Sequence, residues 1–217
     1  MKNLLYKEFQ LSTPLLTFLF LAFTLIAFLP GYPILCGAFF VCFGIFQSYQ
    51  FGREDNDILY TVLLPVKKTD AVRAKYASAA IFQMLDFVLF TAFTLIRMAF
   101  LSDAAAYKSN ALMGANFTFL AFVLIIFATF NVIFIGGFFK TASKFGKPFI
   151  AFTIIGFVII ALAETLHHLP GLSWTNTLDF GDSAKQLLLL FASAIVYAVA
   201  TAASCACAKK RFEKIDM

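Results

Sequence analysis

Nine charged residues crowd into residues 50–76, QFGREDNDILYTVLLPVKKTDAVRAKY, while the sequence on either side is apolar enough to lie in lipid. No other feature limits the fold as sharply. Each charge at mid-membrane costs about 3 kcal/mol even on the mildest scale, so this stretch faces water and joins two membrane segments. It also has internal structure. Gly52 is expected to end an incoming helix, and residues 57–64 read as a short helix with acids at its N-terminal end, where the helix dipole favours them. Ile58, Leu59, Val62 and Leu63 recur on one helical face. Pro65 stops that helix, and Thr69 is placed to cap a second one running through Arg73 and Lys75 into the bilayer. A short surface helix with spare apolar side chains is suited to touching another protein.

The remaining sequence sets the class. Of 217 residues 61% are hydrophobic and only 13% charged, with a mean hydropathy of +0.87. Soluble domains carry roughly 25% charged residues. The expected fold is an all-α integral membrane protein, a single domain over residues 1–217. At about 20 residues per span, six transmembrane helices fit. Residues 1–12 read as an interfacial helix, with Leu4, Leu5 and Phe9 on one face and Lys2, Lys7, Glu8 and Gln10 mostly on the other. The expected spans are 13–29, 33–49, 77–101, 116–139, 148–168 and 184–208. The turn Pro30-Gly31-Tyr32-Pro33 sends the second span back beside the first. Asp103, Lys108 and Asn110 mark the loop after span three, and the only tryptophan, Trp174, lies in the loop before span six.

Lysine and arginine fix an expected orientation. Fourteen fall in the N-terminal segment, the hinge, the loop carrying Lys140, Lys144 and Lys147, and the tail; Arg97, Lys108 and Lys185 lie opposite. The positive-inside rule puts both termini and the hinge in the cytoplasm of a multi-pass protein of a bacterial cell membrane. The net charge of +5 is therefore a topological signal and points to no nucleic-acid partner. The first apolar run continues past Leu29 without a small-x-small site and reads as a retained span. Cys36, Cys42, Cys205 and Cys207 lie within apolar runs and read as small apolar side chains.

The run Gly52-Arg53-Glu54, then Leu63-Leu64-Pro65-Val66-Lys67-Lys68, then Lys75 at the mouth of span three resembles the ABC-2 type of ABC-transporter permease, in which such a segment separates spans two and three. The opening MKNLLYKEF is similar to that family's N-terminal elbow helix. Within the family the chain looks most like small permeases of the phenol-soluble modulin exporter type, which expel amphipathic peptide toxins. The resemblance implies that residues 50–76 form a cytoplasmic coupling helix docked on a separate ATP-binding subunit, with Glu54, Asp57, Tyr60 and Leu63 as its docking surface. It implies a second permease half, the same or a sister chain, with ATP and magnesium held by the partner subunit and no cofactor on this chain. The chain's own residues agree that the motor is elsewhere. Gly146-Lys147 is followed by Pro148 rather than Ser or Thr, which is no phosphate-binding loop, so no enzymatic activity is expected of the chain itself.

Inside the membrane Asp86 stands out. Nine residues into span three, at 1.5 Å per residue, it lies about 14 Å deep. Thr129, Asn131 and Tyr197 fall at similar depth and are expected to hydrogen-bond it or to line a translocation path with it; an intramembrane carboxyl is a functional candidate by default. Polar residues also bind helices together, and that reading stands beside it. Arg97 is expected to snorkel to the outer edge, with Glu164 as a pairing candidate. Glu164 and His167 share a helical face but have no second such pair to complete a metal site. Gly171-Leu172-Ser173 near His167 and His168 has the residue types of an intramembrane serine protease, but a loop serine beside Pro170 lacks the buried cleft that chemistry needs. Ala194, Ala198, Ala202 and Ala206 form a small-residue stripe suited to close helix packing. Together these features point to the permease subunit of an exporter of amphipathic peptides or other hydrophobic toxic compounds. A non-transporting membrane anchor or immunity protein that recruits a cytoplasmic partner is the rival reading. A secondary transporter is disfavoured because no matched pair of broken helices is visible.

Overall fold

The computed structural model describes residues 2–102, 104–108, 110–141, 144–178 and 180–215; Asp103 lies outside them, and of Lys108 and Phe180 only the backbone is described. Helices run in the order α1 (Lys2–Lys7), α2 (Leu15–Leu19), α3 (Cys36–Glu54), α4 (Asp57–Leu63), α5 (Lys68–Phe100), α6 (Ala105–Lys108), α7 (Phe117–Phe130), α8 (Gly136–Phe138), α9 (Gly146–Leu166) and α10 (Ser183–Phe212), with no strand among the described residues. A π-helical turn, Glu8–Ser12, extends α1, and a 3-10 stretch, Phe20–Phe28, extends α2. Another π-helical turn, Asn131–Ile135, welds α7 to α8.

Among the described residues four helices are long and apolar enough to cross a membrane: α5, the combined α7–α8, α9 and α10. A fifth is added if Lys2–Ser12 and Leu15–Phe28 are taken as one span bent by 92°. Pro14 explains that bend. The residue before a proline is pushed out of the helical region, and Thr13 is extended (φ −109, ψ 105). The expected second span corresponds to α3, whose last eight residues, QSYQFGRE, dilute its apolar character.

The helix α7 is the hub. The most apolar window of the combined α7–α8 span is 72% buried, against 11% for α10. Phenylalanines fill the space around it: Phe46 stacks on Phe149 at 3.9 Å, Phe130 meets Phe152 edge-on at 5.0 Å, and Phe134 meets Tyr49 edge-on at 5.1 Å. Edge-to-face and offset contacts of this kind add specificity to plain apolar burial. Two glycines let α3 approach its neighbour. A Cβ on Gly37 would stand 2.9 Å from the Phe23 carbonyl, and one on Gly44 2.7 Å from the Phe20 Cβ. Of the small-residue stripe on α10, Ala198, Ala202 and Ala206 are exposed.

The hinge differs from expectation at two points. Gly52 does not end α3, which continues to Glu54; the turn is made by Asn56 in the left-handed region (φ 52, ψ 32). Asparagine tolerates that conformation because its short polar side chain is compatible with it. The following helix begins at Lys68 after Lys67, with no side-chain cap, so Thr69 is not its N-cap.

Candidate functional site

The coupling helix α4 has two unlike faces. On the inner one, Asp57 is only 8% exposed. Lys7 forms an ion pair with it, and Lys75 bridges to Asp57 at 2.8 Å and to Glu8 at 2.5 Å. Lys7 also reaches Glu8 at 3.1 Å and Thr61 Oγ1 at 2.7 Å. Two cations and two carboxylates from three elements thus close into one buried cluster, clamping α4 onto α1 and its π-helical turn and onto α5. Burial pushes the Asp57 carboxyl up, but Lys75 and Lys7 outweigh it and hold the group below its ordinary value. On the outer face, Tyr60 is 60% and Leu63 78% exposed, with Leu59 and Leu64 beside them. Glu54 is exposed at the preceding helix end. The four expected docking residues therefore divide. Glu54, Tyr60 and Leu63 face outward, whereas Asp57 is turned inward and spent on the clamp. Glu8, expected on a water-facing side, is buried there too.

Deeper in the bundle, Gln83 and Asn131 exchange reciprocal side-chain hydrogen bonds at 2.9 Å. Tyr197 donates to Gln83 Oε1 at 2.9 Å, and Asn131 Nδ2 donates to Thr201 at 3.0 Å. The Asn131 carbonyl opens the π-helical turn, where it takes the Gly136 amide, and it also accepts from Ser204 at 3.0 Å. A π-turn displaces the regular ladder, which is how such turns come to present backbone to side chains from other helices. This closed network ties α5, α7 and α10 together.

Asp86 is not part of it. It is 0% exposed, and neither carboxylate oxygen has a hydrogen-bond partner among the described residues. Thr129 is also outside, donating to the Ile125 carbonyl of its own helix at 2.7 Å. Counting along the helices put these four residues at similar depth, but rotation about the helix axes leaves Asp86 and Thr129 apart from Asn131 and Tyr197, which Gln83 links. Gln83, three residues before Asp86 on the same helical face, is the partner that depth alone missed.

The other end of the bundle also corrects two expectations. Arg97 does not snorkel; it is 1% exposed, donating to the Ala27 carbonyl at 2.6 Å with the Tyr107 ring 4.2 Å away. Glu164 accepts the Met113 amide at 2.7 Å, and His167 Nε2 lies 3.1 Å from the Ala111 carbonyl. These side chains fasten the loop before α7 to α9.

A family model described as ABC-2 family transporter protein matches residues 3–213, nearly the whole chain. The chain belongs to this family. No curated protein and no solved structure matches it. This ABC-2 family protein is thus a multi-pass membrane component of a transporter, and membership in such a family implies association with an ATP-binding subunit.

Proposed function

We propose that this ABC-2 family chain is the permease subunit of an ATP-driven exporter, with α4 as its coupling helix. The observation that carries the reading is the division of α4: an outward apolar face of Tyr60 and Leu63, braced from behind by the Lys7–Glu8–Asp57–Lys75 cluster. A face so held transmits a push instead of yielding to it. Glu54, Tyr60 and Leu63 form the docking surface, tyrosine being among the residue types enriched where a few side chains dominate such contacts. Asp57 stiffens the helix behind them. The subunit they meet carries ATP and magnesium. Two permease halves, identical or sister chains, complete the transporter, each crossing a bacterial cell membrane six times with both termini in the cytoplasm.

The substrate is an amphipathic peptide or similarly hydrophobic toxic compound, as for exporters of the phenol-soluble modulin type. Spans with few fixed charges are unsuited to holding a small hydrophilic solute, which needs several placed polar groups. Asp86 is the path candidate whose hydrogen-bonding capacity the closed bundle leaves unused. Asn131 and Tyr197 are occupied in helix–helix contacts and join the path only if that network opens; Thr129 already serves its own helix.

The test is to seek an ATP-binding subunit among the neighbouring gene products and to reconstitute this chain with it. Short amphipathic helical peptides should change the hydrolysis rate, sugars and free amino acids should not, and Asp86→Leu should blunt the response. Stimulation by a soluble metabolite with none by peptides would refute the substrate assignment. Failure of the two proteins to copurify would refute the coupling role.

A further inference from the structure

A cleft of about 890 Å3 opens between the α7–α8 end, the start of α9 and the end of α10. Ligand pockets typically measure roughly 300–1,000 Å3, so it is of ligand size. Its mouth carries Lys140, Lys144, Lys147 and Arg211, all exposed, and no carboxylate is among its described lining residues. None of the three lysines forms an ion pair among the described residues, in contrast to Lys7 and Lys75. Arg211 makes a long hydrogen bond, 3.4 Å, to the Gly136 carbonyl. Above this ring the walls become apolar and small: Val132, Ala151, Ala200 and Ala203. Gly137 keeps the floor narrow, since a Cβ there would stand 2.9 Å from Pro148.

We infer that this cleft binds one anionic phospholipid, its phosphate held by the four cations and one acyl chain lying along the small-residue wall. The position agrees, because the cations stand where three apolar helices end, the level at which headgroups lie. Basic pockets between membrane helices suit anionic headgroups in this setting. A soluble anion would leave the apolar wall empty, and a purely apolar ligand would leave four cations unanswered. An acidic protein surface would answer the four cations but leave the apolar walls of Val132, Ala151, Ala200 and Ala203 unfilled.

The test uses the purified full chain in neutral detergent, titrated with phosphatidylglycerol or phosphatidylcholine and read by native mass spectrometry. Phosphatidylglycerol should bind in preference, and affinity should fall roughly fivefold for each cation removed. The variant K140Q/K144Q/K147Q/R211Q should show no preference, while K67Q, an exposed lysine outside the cleft, should keep it. Ala203→Leu fills the wall and leaves all four cations, and it should weaken binding as well. Equal binding of the two lipids, retained preference in the quadruple variant, unaltered binding in Ala203→Leu, or displacement of lipid by inorganic phosphate would each overturn the inference. No ATPase and no transport enter this measurement, so its failure and that of the exporter reading are separately visible.

Discussion

Two groups of cations in this chain follow opposite rules. Lys7 and Lys75 are buried, or nearly so, and are matched by Glu8 and Asp57; Lys140, Lys144 and Lys147 are exposed around a cleft without a described acid. Burial accounts for the difference. A charge removed from water needs an opposite charge and hydrogen bonds in close geometry, whereas a solvated lysine needs neither. Paired charges hold the chain to itself, and unpaired ones are left for something outside it.

The strongest way to break this contrast is to remove one member of the buried set. Lys75→Met leaves Glu8 and Asp57 facing each other with one cation, and should cost about 3–5 kcal/mol of stability, read as loss of folded yield or a large fall in melting temperature in detergent. A loss below about 1 kcal/mol would mean the cluster is solvated after all.

Acid should reach the same cluster more gently. A carboxyl whose value is lowered on folding contributes stability that is present above its unfolded value, near 3.8, and is lost as pH falls through the lower folded value. Melting temperature should therefore drop as pH is taken below about 4. In Asp57→Asn that part of the slope should be missing while the neutral-pH stability is already reduced. An unchanged slope in the variant would remove Asp57 from the clamp.

The outer face of α4 sharpens the comparison because it should act on a partner alone. Tyr60→Ala with Leu63→Ala should weaken capture of the ATPase by about 2 kcal/mol or more, with melting of the isolated chain shifted little. If the double variant melts early instead, those side chains are covered within the chain. The smallest effect is expected at the exposed lysines, where Lys144→Gln and Lys147→Gln should each change stability by no more than about 0.5 kcal/mol. A loss as large as that of Lys75→Met would erase the distinction between the two groups.

Much of the α4 region was legible beforehand. Its helix was expected over 57–64 and runs Asp57–Leu63, and the proline that stops it was visible. The inward turn of Asp57 was not, because its partners come from Lys7, Glu8 and Lys75, and nothing in the local spacing brings these three segments together. The same limit separated Asp86 from Asn131 and Tyr197. Depth along a helix follows from counting at 1.5 Å per residue, but which way a side chain points depends on how neighbouring helices are rotated. Gly52 misled for a related reason. It lies inside α3, where a Cβ would stand 3.5 Å from the Asp57 Cβ and 3.6 Å from the Lys75 ammonium, ordinary contact distances, so neither a turn nor a close approach requires glycine there.

By itself, then, the sequence determined that this chain is helical, that its helices are apolar enough for lipid, and that one charged stretch interrupts them. Those properties follow from composition and period, because backbone groups in lipid must be satisfied within each helix wherever it packs. Only the tertiary structure decided which charges became buried partners, which polar side chains closed into a network, and that Asp86 has no partner among the described residues. Those outcomes depend on contacts between segments far apart in the chain, and such contacts exist only once the helices have found their rotations against α7.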